Sequence, residues 1–223
     1  MTLRNGSPHR QCSNPFLHSG KLQVEKGDDE KQGSDAKLVI CAHALLHFTV
    51  ISPGGLLLVW LRERKMAEAT ITMFVAAAQI CGAGGSWIPE LVLSRSGGRL
   101  EVAAARVQAA QAAAVVVAAG AVIGGSESAL LLSTVLSRAA LWGIDLLGRQ
   151  IVQVRARGGR LRAFALQGSL SQVAACAMYS LAFAGASFRT QCCASASSVI
   201  IAAVLLAINA RHTEVLAKVR KGL

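Results

Sequence analysis

The stretch "IVQVRARGGRLRAFALQG", residues 151–168, decides between two classes of fold. Five arginines and no acidic residue lie in it or just before it: Arg149, Arg155, Arg157, Arg160 and Arg162. A basic run of this kind is typical of a protein that binds phosphate groups, either of a nucleic acid or of an anionic membrane surface. Because long apolar runs flank it on both sides, the membrane surface is the better interpretation.

The composition also indicates a membrane protein. Of the 223 residues, 53% are hydrophobic and 16% are charged, and the mean hydropathy is +0.47. A typical soluble domain has about 25% charged residues. Lys and Arg exceed Asp and Glu by 23 to 12, which predicts an anionic partner, but only 4% of the residues are aromatic. Proteins that bind single-stranded nucleic acid stack bases on aromatic rings, so we expect membrane lipids as partners and no nucleic acid.

Six apolar runs follow the polar N-terminal region. They cover residues 38–61, 66–93, 102–125, 129–148, 163–186 and 192–210. Each approaches the roughly 20 residues that a helix needs to cross a bilayer, and none alternates with the two-residue period of a barrel strand. The pattern predicts an all-α, polytopic membrane bundle of about six transmembrane helices in residues 38–210. Residues 1–37 are predicted to form a polar, disordered tail, and residues 211–223 a basic tail.

The positive charges are distributed unevenly between the loops that connect these runs. If all six runs cross the membrane, 17 of the 23 Lys and Arg residues lie on the side of the termini and four on the opposite side. Cytoplasmic loops of membrane proteins carry an excess of Lys and Arg. We therefore predict that both termini are cytoplasmic and that the five arginines named above line the cytoplasmic rim, where they bind lipid phosphates.

Two ionisable residues, Arg138 and Asp145, lie inside the fourth run. An ionisable side chain at this depth is costly and faces the interior of the bundle, which makes it a candidate functional residue. The two residues are seven positions apart, about two helical turns, and so point to nearly the same face. One interpretation is a polar, partly cationic cavity that handles a hydrophilic or anionic substrate. The other is a structural ion pair, or a polar contact to a Gln of another helix.

The first run contains two further features. Pro53, followed by Gly54 and Gly55, predicts a break or kink beyond the centre of the first helix, with a structural role. His43 and His47 are one helical turn apart, a spacing that suits a metal ion. Since no further ligand lies nearby in the sequence, we interpret both histidines as polar residues on a helix face.

The chain carries no familiar signature of an enzyme. The motifs HExxH, GxSxG and GxxxxGK[ST] are absent, and the six cysteines show no zinc spacing. We therefore expect no catalytic residue, no cofactor and no metal site.

Two longer segments resemble parts of a known transporter family. "LLLVWLRERKMAEATITMFVAAAQICGAG" (56–84) is similar to the first hairpin, and "LLGRQIVQVRARGGRLRAFALQGSLSQVAACAMYSLAFAGA" (146–186) to the fourth-to-fifth helix connection, of the polysaccharide and O-antigen flippases. The resemblance implies export of lipid-linked oligosaccharides, as in the wider multidrug and oligosaccharidyl-lipid exporter superfamily, with Arg138 in a central cavity. Members of that family have about twice as many spans, which implies a homodimer or a missing second half.

Three hypotheses follow for the function. The first is a half-flippase of the bacterial inner membrane that moves an anionic amphiphile by alternating access, for lipopolysaccharide or other polysaccharide biosynthesis, without a chemical step. The second is a membrane scaffold, subunit or inactive fragment in which Arg138 and Asp145 form a pair. The third is a soluble, basic, helical protein that binds nucleic acid.

Overall fold

The computed structural model describes residues 26–156 and 159–221, and every regular element within them is an α-helix. The helices are α1 (Lys26–His47), α2 (Gly55–Glu63), α3 (Glu68–Gly85), α4 (Ile88–Arg95), α5 (Leu100–Gly124), α6 (Glu127–Arg155), α7 (Arg160–Phe183) and α8 (Phe188–Lys221). The first apolar run is divided between α1 and α2 and the second between α3 and α4, while α5 to α8 each contain all or most of one run. The prediction of an all-α bundle is confirmed.

The break in the first run lies where the sequence predicts it. Helix α1 ends at His47, and α2 begins only at Gly55. Proline has no N–H group to donate and disfavours helical geometry in the residue before it, so Pro53 ends any continuous helix through this run. Residues 48–54 therefore cross the middle of the run without regular structure.

Side chains of α8 satisfy backbone groups at this break. The Val50 N–H donates to Ser195 Oγ at 2.9 Å, and Ser198 Oγ donates to the Leu45 carbonyl oxygen at 2.7 Å. Non-helical backbone at membrane depth is tolerated only where protein or water supplies such partners. Helix α8 thus stabilises the broken segment.

Fewer helices than predicted are long and apolar enough to span a membrane. Among the described residues, three qualify by length and composition, namely α5, α6 and residues Phe188–Leu216 of α8. The pair α3 and α4, bent by 43°, would form a fourth span. The break leaves α1 and α2 with only short apolar segments. Helix α7 has 24 residues but contains Gln167, Ser169, Ser171 and Gln172, which reduce its hydropathy.

Helix α6 lies at the centre of the bundle and packs closely against α3 and α5. A Cβ atom built on Gly85 of α3 would overlap the carbonyl oxygen of Ala139 on α6. A Cβ atom on Gly143 would lie 3.2 Å from the side chain of Ile88 on α4. Small residues that let backbones approach in this way are the usual basis of helix packing in membranes.

The helical segment is longer at both ends than the predicted membrane domain. Helix α1 begins at Lys26, within the stretch predicted as a polar tail, and α8 continues to Lys221, beyond the predicted boundary at residue 210. Residues 1–25 and 222–223 lie outside the described part of the chain.

Candidate functional site

A chain of ionisable side chains connects α1 to α6. His43 of α1 is buried, with 7% of its surface exposed, and its Nε2 atom lies 3.1 Å from Oδ1 of Asp145. The second carboxylate oxygen, Oδ2, lies 3.0 Å from Nη2 of Arg149, one turn further along α6. Both oxygens of the Asp145 carboxylate therefore have a basic partner.

The close approach of His43 to α6 depends on a glycine. A Cβ atom on Gly148 would lie 3.3 Å from His43 Nδ1, so a larger residue would press on the imidazole. His47 follows one turn later on α1, with its ring centroid 5.4 Å from that of His43. The two histidines thus lie together on the side of α1 that faces Asp145.

A cavity of about 200 Å³ lies beside this cluster. Its wall is formed by the end of α1, the broken segment and the start of α2, together with residues of α6 and α7. Its polar lining consists of His47, Thr49, Ser52, Arg138 and Tyr179. The break in the first run therefore contributes directly to the wall of a cavity with a mixed polar and apolar lining.

Arg138 lies in this wall, separate from Asp145. Its Nη1 atom is 3.5 Å from Ser52 Oγ, and its buried Nε atom has no hydrogen-bond partner in the described structure. The carboxylate of Asp145 contacts His43 and Arg149 instead. The two residues that the sequence placed on one face of α6 are thus found in different surroundings, and the structure does not pair them.

The arginines predicted to line the cytoplasmic rim also differ in their surroundings. Arg149 binds Asp145, while Arg155, 13% exposed, lies 2.6 Å from Glu101 of α5. Arg160 and Arg162 are exposed at the start of α7. Arg157 lies outside the described residues.

Sequence reasoning did not assign His43 and His47 to the site. Their spacing on one face of α1 was visible, but the carboxylate that faces them lies on another helix about a hundred residues later in the sequence. The described residues contain no group of three or more His, Cys, Asp or Glu side chains that could hold a metal ion. The site is therefore a histidine and carboxylate cluster beside a partly polar cavity, and not a closed metal centre.

A family model described as Ferroportin1 (FPN1) matches residues 38–207. The chain belongs to the ferroportin family. The family match and the candidate spans together favour the membrane protein over the soluble alternative. Several of the described helices are long and apolar enough to span a bilayer. The chain is a multi-pass membrane protein of a transporter family.

Solved structures show the same fold. A bacterial homologue of the iron transporter ferroportin in its outward-facing state has a TM-score of 0.70 and 22% identity, and the match covers 79% of this chain and 45% of that one. The inward-facing state of such a homologue has a TM-score of 0.70 and 23% identity, with the same coverage. A bacterial metal transporter has a TM-score of 0.68 and 22% identity, and the match covers 78% of this chain and 48% of that one. The chain thus spans about half the length of these structures. None of the curated proteins matches it in sequence.

The resemblance to polysaccharide and O-antigen flippases is wrong. It is overturned by the ferroportin match over residues 38–207 and by the solved structures. The resemblance rested on apolar runs, a charged hairpin and a basic loop, which transporters of many folds share because the bilayer imposes them. A lipid-linked oligosaccharide is therefore not the substrate, and a role in polysaccharide or lipopolysaccharide biosynthesis does not apply.

Proposed function

We propose that this ferroportin-family chain takes part in moving a divalent metal ion across the membrane, with the Asp145 carboxylate and the neighbouring His47 as passing contacts of a hydrated ion. The observation that carries the proposal is the family match over residues 38–207. Imidazole and carboxylate groups are suitable ligands for divalent iron, cobalt and manganese. The solved relatives, one a homologue of an iron transporter and one a metal transporter, support the same substrate class.

The surroundings of Asp145 suggest how an ion would bind and leave. Arg149 is 60% exposed, so its guanidinium can move into solvent when a cation takes its place at Oδ2. The hydrogen bond from His43 holds the other oxygen and orients the carboxylate, as outer partners do at metal sites. With few protein ligands, the remaining positions would be filled by water, which suits an ion that must also be released.

The placement in the membrane is part of the proposal. We expect both termini in the cytoplasm of a bacterial cell, no chemical step, and a second half or second copy to complete the transporter. The excess of 17 over four positive charges on the side of the termini, counted with all six apolar runs as spans, supports this orientation. Single cysteines on a cysteine-free background at Ser126 and Ser187 should be labelled from outside intact cells, and labelling only after lysis would reverse the orientation.

Binding of Co²⁺ to the purified full chain tests the proposed site. We expect Asp145→Asn and His47→Ala to weaken binding by about tenfold or more, the scale seen when groups at metal sites are removed. Calorimetric titration in detergent measures the dissociation constant. The exposed residues Glu90 and His212 lie outside the cluster and the cavity wall, so Glu90→Gln and His212→Ala serve as matched controls.

Two results would contradict the proposed function. A wild-type chain that binds no Co²⁺ would favour the scaffold hypothesis. Equal loss of binding in the control variants would place the ion elsewhere. Uptake of ⁵⁷Co²⁺ by proteoliposomes that contain the wild-type chain then tests whether this chain transports the ion without another half.

A further inference from the structure

We propose that the cavity at the break binds a small carboxylate anion, with Arg138 as its charged contact. The anion site rests on the geometry of the cavity alone. A second step, in which the carboxylate accompanies the metal ion, rests on the proposed function.

Arg138 is half-buried, with its Nε atom fully buried, and no described carboxylate balances its positive charge. A guanidinium carries five N–H donors and stays protonated, so burial without an anion is costly. Its described hydrogen-bond acceptor is Ser52 Oγ, at the long distance of 3.5 Å, and its Nε atom is buried without a partner. Four other arginines do have carboxylate partners: Arg62 with Glu68, Arg99 with Glu214, Arg149 with Asp145 and Arg155 with Glu101. An anion from outside the chain would supply what the fold provides elsewhere.

The polar part of the cavity wall favours the same kind of ligand, while Leu46, Val50, Leu141 and Met178 give the wall an apolar part. Thr49, Ser52 and Tyr179 contribute hydroxyl groups that can donate to an anion. Gly54 and Leu56 bring the first turn of α2 into the wall, and no side chain caps that turn. The free N–H groups of an uncapped first turn add partial positive charge next to the arginine.

Size and charge select a carboxylate. The cavity of about 200 Å³ holds a small organic acid, since one water occupies about 30 Å³ of liquid volume. A planar carboxylate can accept two parallel hydrogen bonds from a guanidinium. One arginine balances one carboxylate group, and a hydroxycarboxylate such as citrate keeps its other oxygens free for further contacts.

His47 lines the same cavity as Arg138, which brings the anion site next to the proposed metal-handling residues. A hydroxycarboxylate held by Arg138 could use its remaining oxygens as ligands of a metal ion beside His47. The complex would carry less net charge than the bare divalent ion, so its removal from water would cost less. The anion would then fill coordination positions of the ion that the few protein ligands leave open.

Calorimetric titration of citrate into the metal-free full chain in detergent tests the anion site. We expect the wild type to bind citrate and Arg138→Gln to bind it about tenfold or more weakly, the scale of a lost charge-assisted hydrogen bond. Arg138→Lys should retain part of the affinity, because it keeps the charge but not the planar fork. Arg189→Gln changes an exposed arginine outside the cavity and should bind like the wild type.

Ser52→Ala is a second variant that keeps the charge, and it should lose a few-fold in affinity through one hydrogen bond. Gel filtration and thermal unfolding establish that each variant is folded. A wild-type chain without citrate binding, or an Arg138→Gln variant with unchanged affinity, would overturn the anion site.

The same chain in proteoliposomes separates this inference from the proposed function. Uptake of ¹⁴C-citrate that requires Co²⁺ would support a metal-chelating carboxylate as the ligand. Uptake of citrate without Co²⁺ would support a free carboxylate and overturn the second step. Binding of Co²⁺ without any binding of citrate would reject the anion site and leave metal transport standing. Binding of citrate without any binding of Co²⁺ would support the anion site and contradict metal transport.

Discussion

The two sides of α6 differ in construction. On the side of α3 and α5, small residues let the helices approach closely, as at Gly85 against the Ala139 backbone. On the side of α1 and α7, the neighbouring helix is broken, a cavity is present, and the ionisable residues Arg138 and Asp145 find their contacts. One side is packed for rigidity, and the other carries polar groups whose partners can change.

This difference suggests that the two sides of α6 have different roles. Closely interdigitated side chains leave little room for small adjustments between helices. We therefore expect α3, α5 and α6 to move together as one rigid body. The broken first run has backbone hydrogen bonds to α8 side chains in place of a helical ladder, and such a segment can change conformation at lower cost. Substitutions on the packed side should therefore affect mainly the stability of the whole bundle, and substitutions at the cavity and the Asp145 cluster should affect mainly binding.

The largest effect on stability is expected for Gly85→Ala. The added Cβ atom would overlap the Ala139 carbonyl oxygen, which is backbone and can yield only if α3 and α6 separate. We expect a loss of about 1–3 kcal/mol, the usual cost of overpacking. Gly84→Ala is the matched control, because a Cβ atom there meets nothing within 4 Å and alanine favours a helix over glycine. Thermal unfolding in detergent compares the two, and equal midpoints would show that the close contact does not hold the packed side together.

A smaller loss is expected for Ser195→Ala, which leaves the buried Val50 N–H at the break without its acceptor. The cost of an unsatisfied buried donor is about 1–2 kcal/mol. Ser197→Ala, on the exposed face of α8, should be neutral. Hydrogen exchange of residues 48–54 gives the sharper measurement. Relative to the wild type, Ser195→Ala should raise the exchange rate in this segment more than in α5. Uniformly faster exchange throughout the bundle would contradict a local role for the serine.

More of the fold than of the candidate site could be predicted from the sequence. Apolar runs of helical length are imposed by the bilayer, and Pro53 with its two glycines marks the break by local backbone chemistry alone. The contacts of Asp145 depend instead on how α1 lies against α6. The i, i+7 spacing places Arg138 and Asp145 on one face, but it does not say which helix covers each of them. The distribution of charge likewise identified basic loops without showing that Arg155 binds Glu101.

The smallest expected effect is a gain. Arg149 competes with a cation for Oδ2 of Asp145, and its side chain is 60% exposed, so the pair contributes little to folding. Arg149→Gln should leave the unfolding temperature unchanged and tighten Co²⁺ binding by a few-fold, about the strength of an exposed ion pair. Arg160→Gln removes an exposed arginine of the same basic region and should have no such effect. Equal tightening in both variants would indicate a general change in surface charge, whereas weaker binding in Arg149→Gln would mean that the arginine positions the carboxylate for the ion.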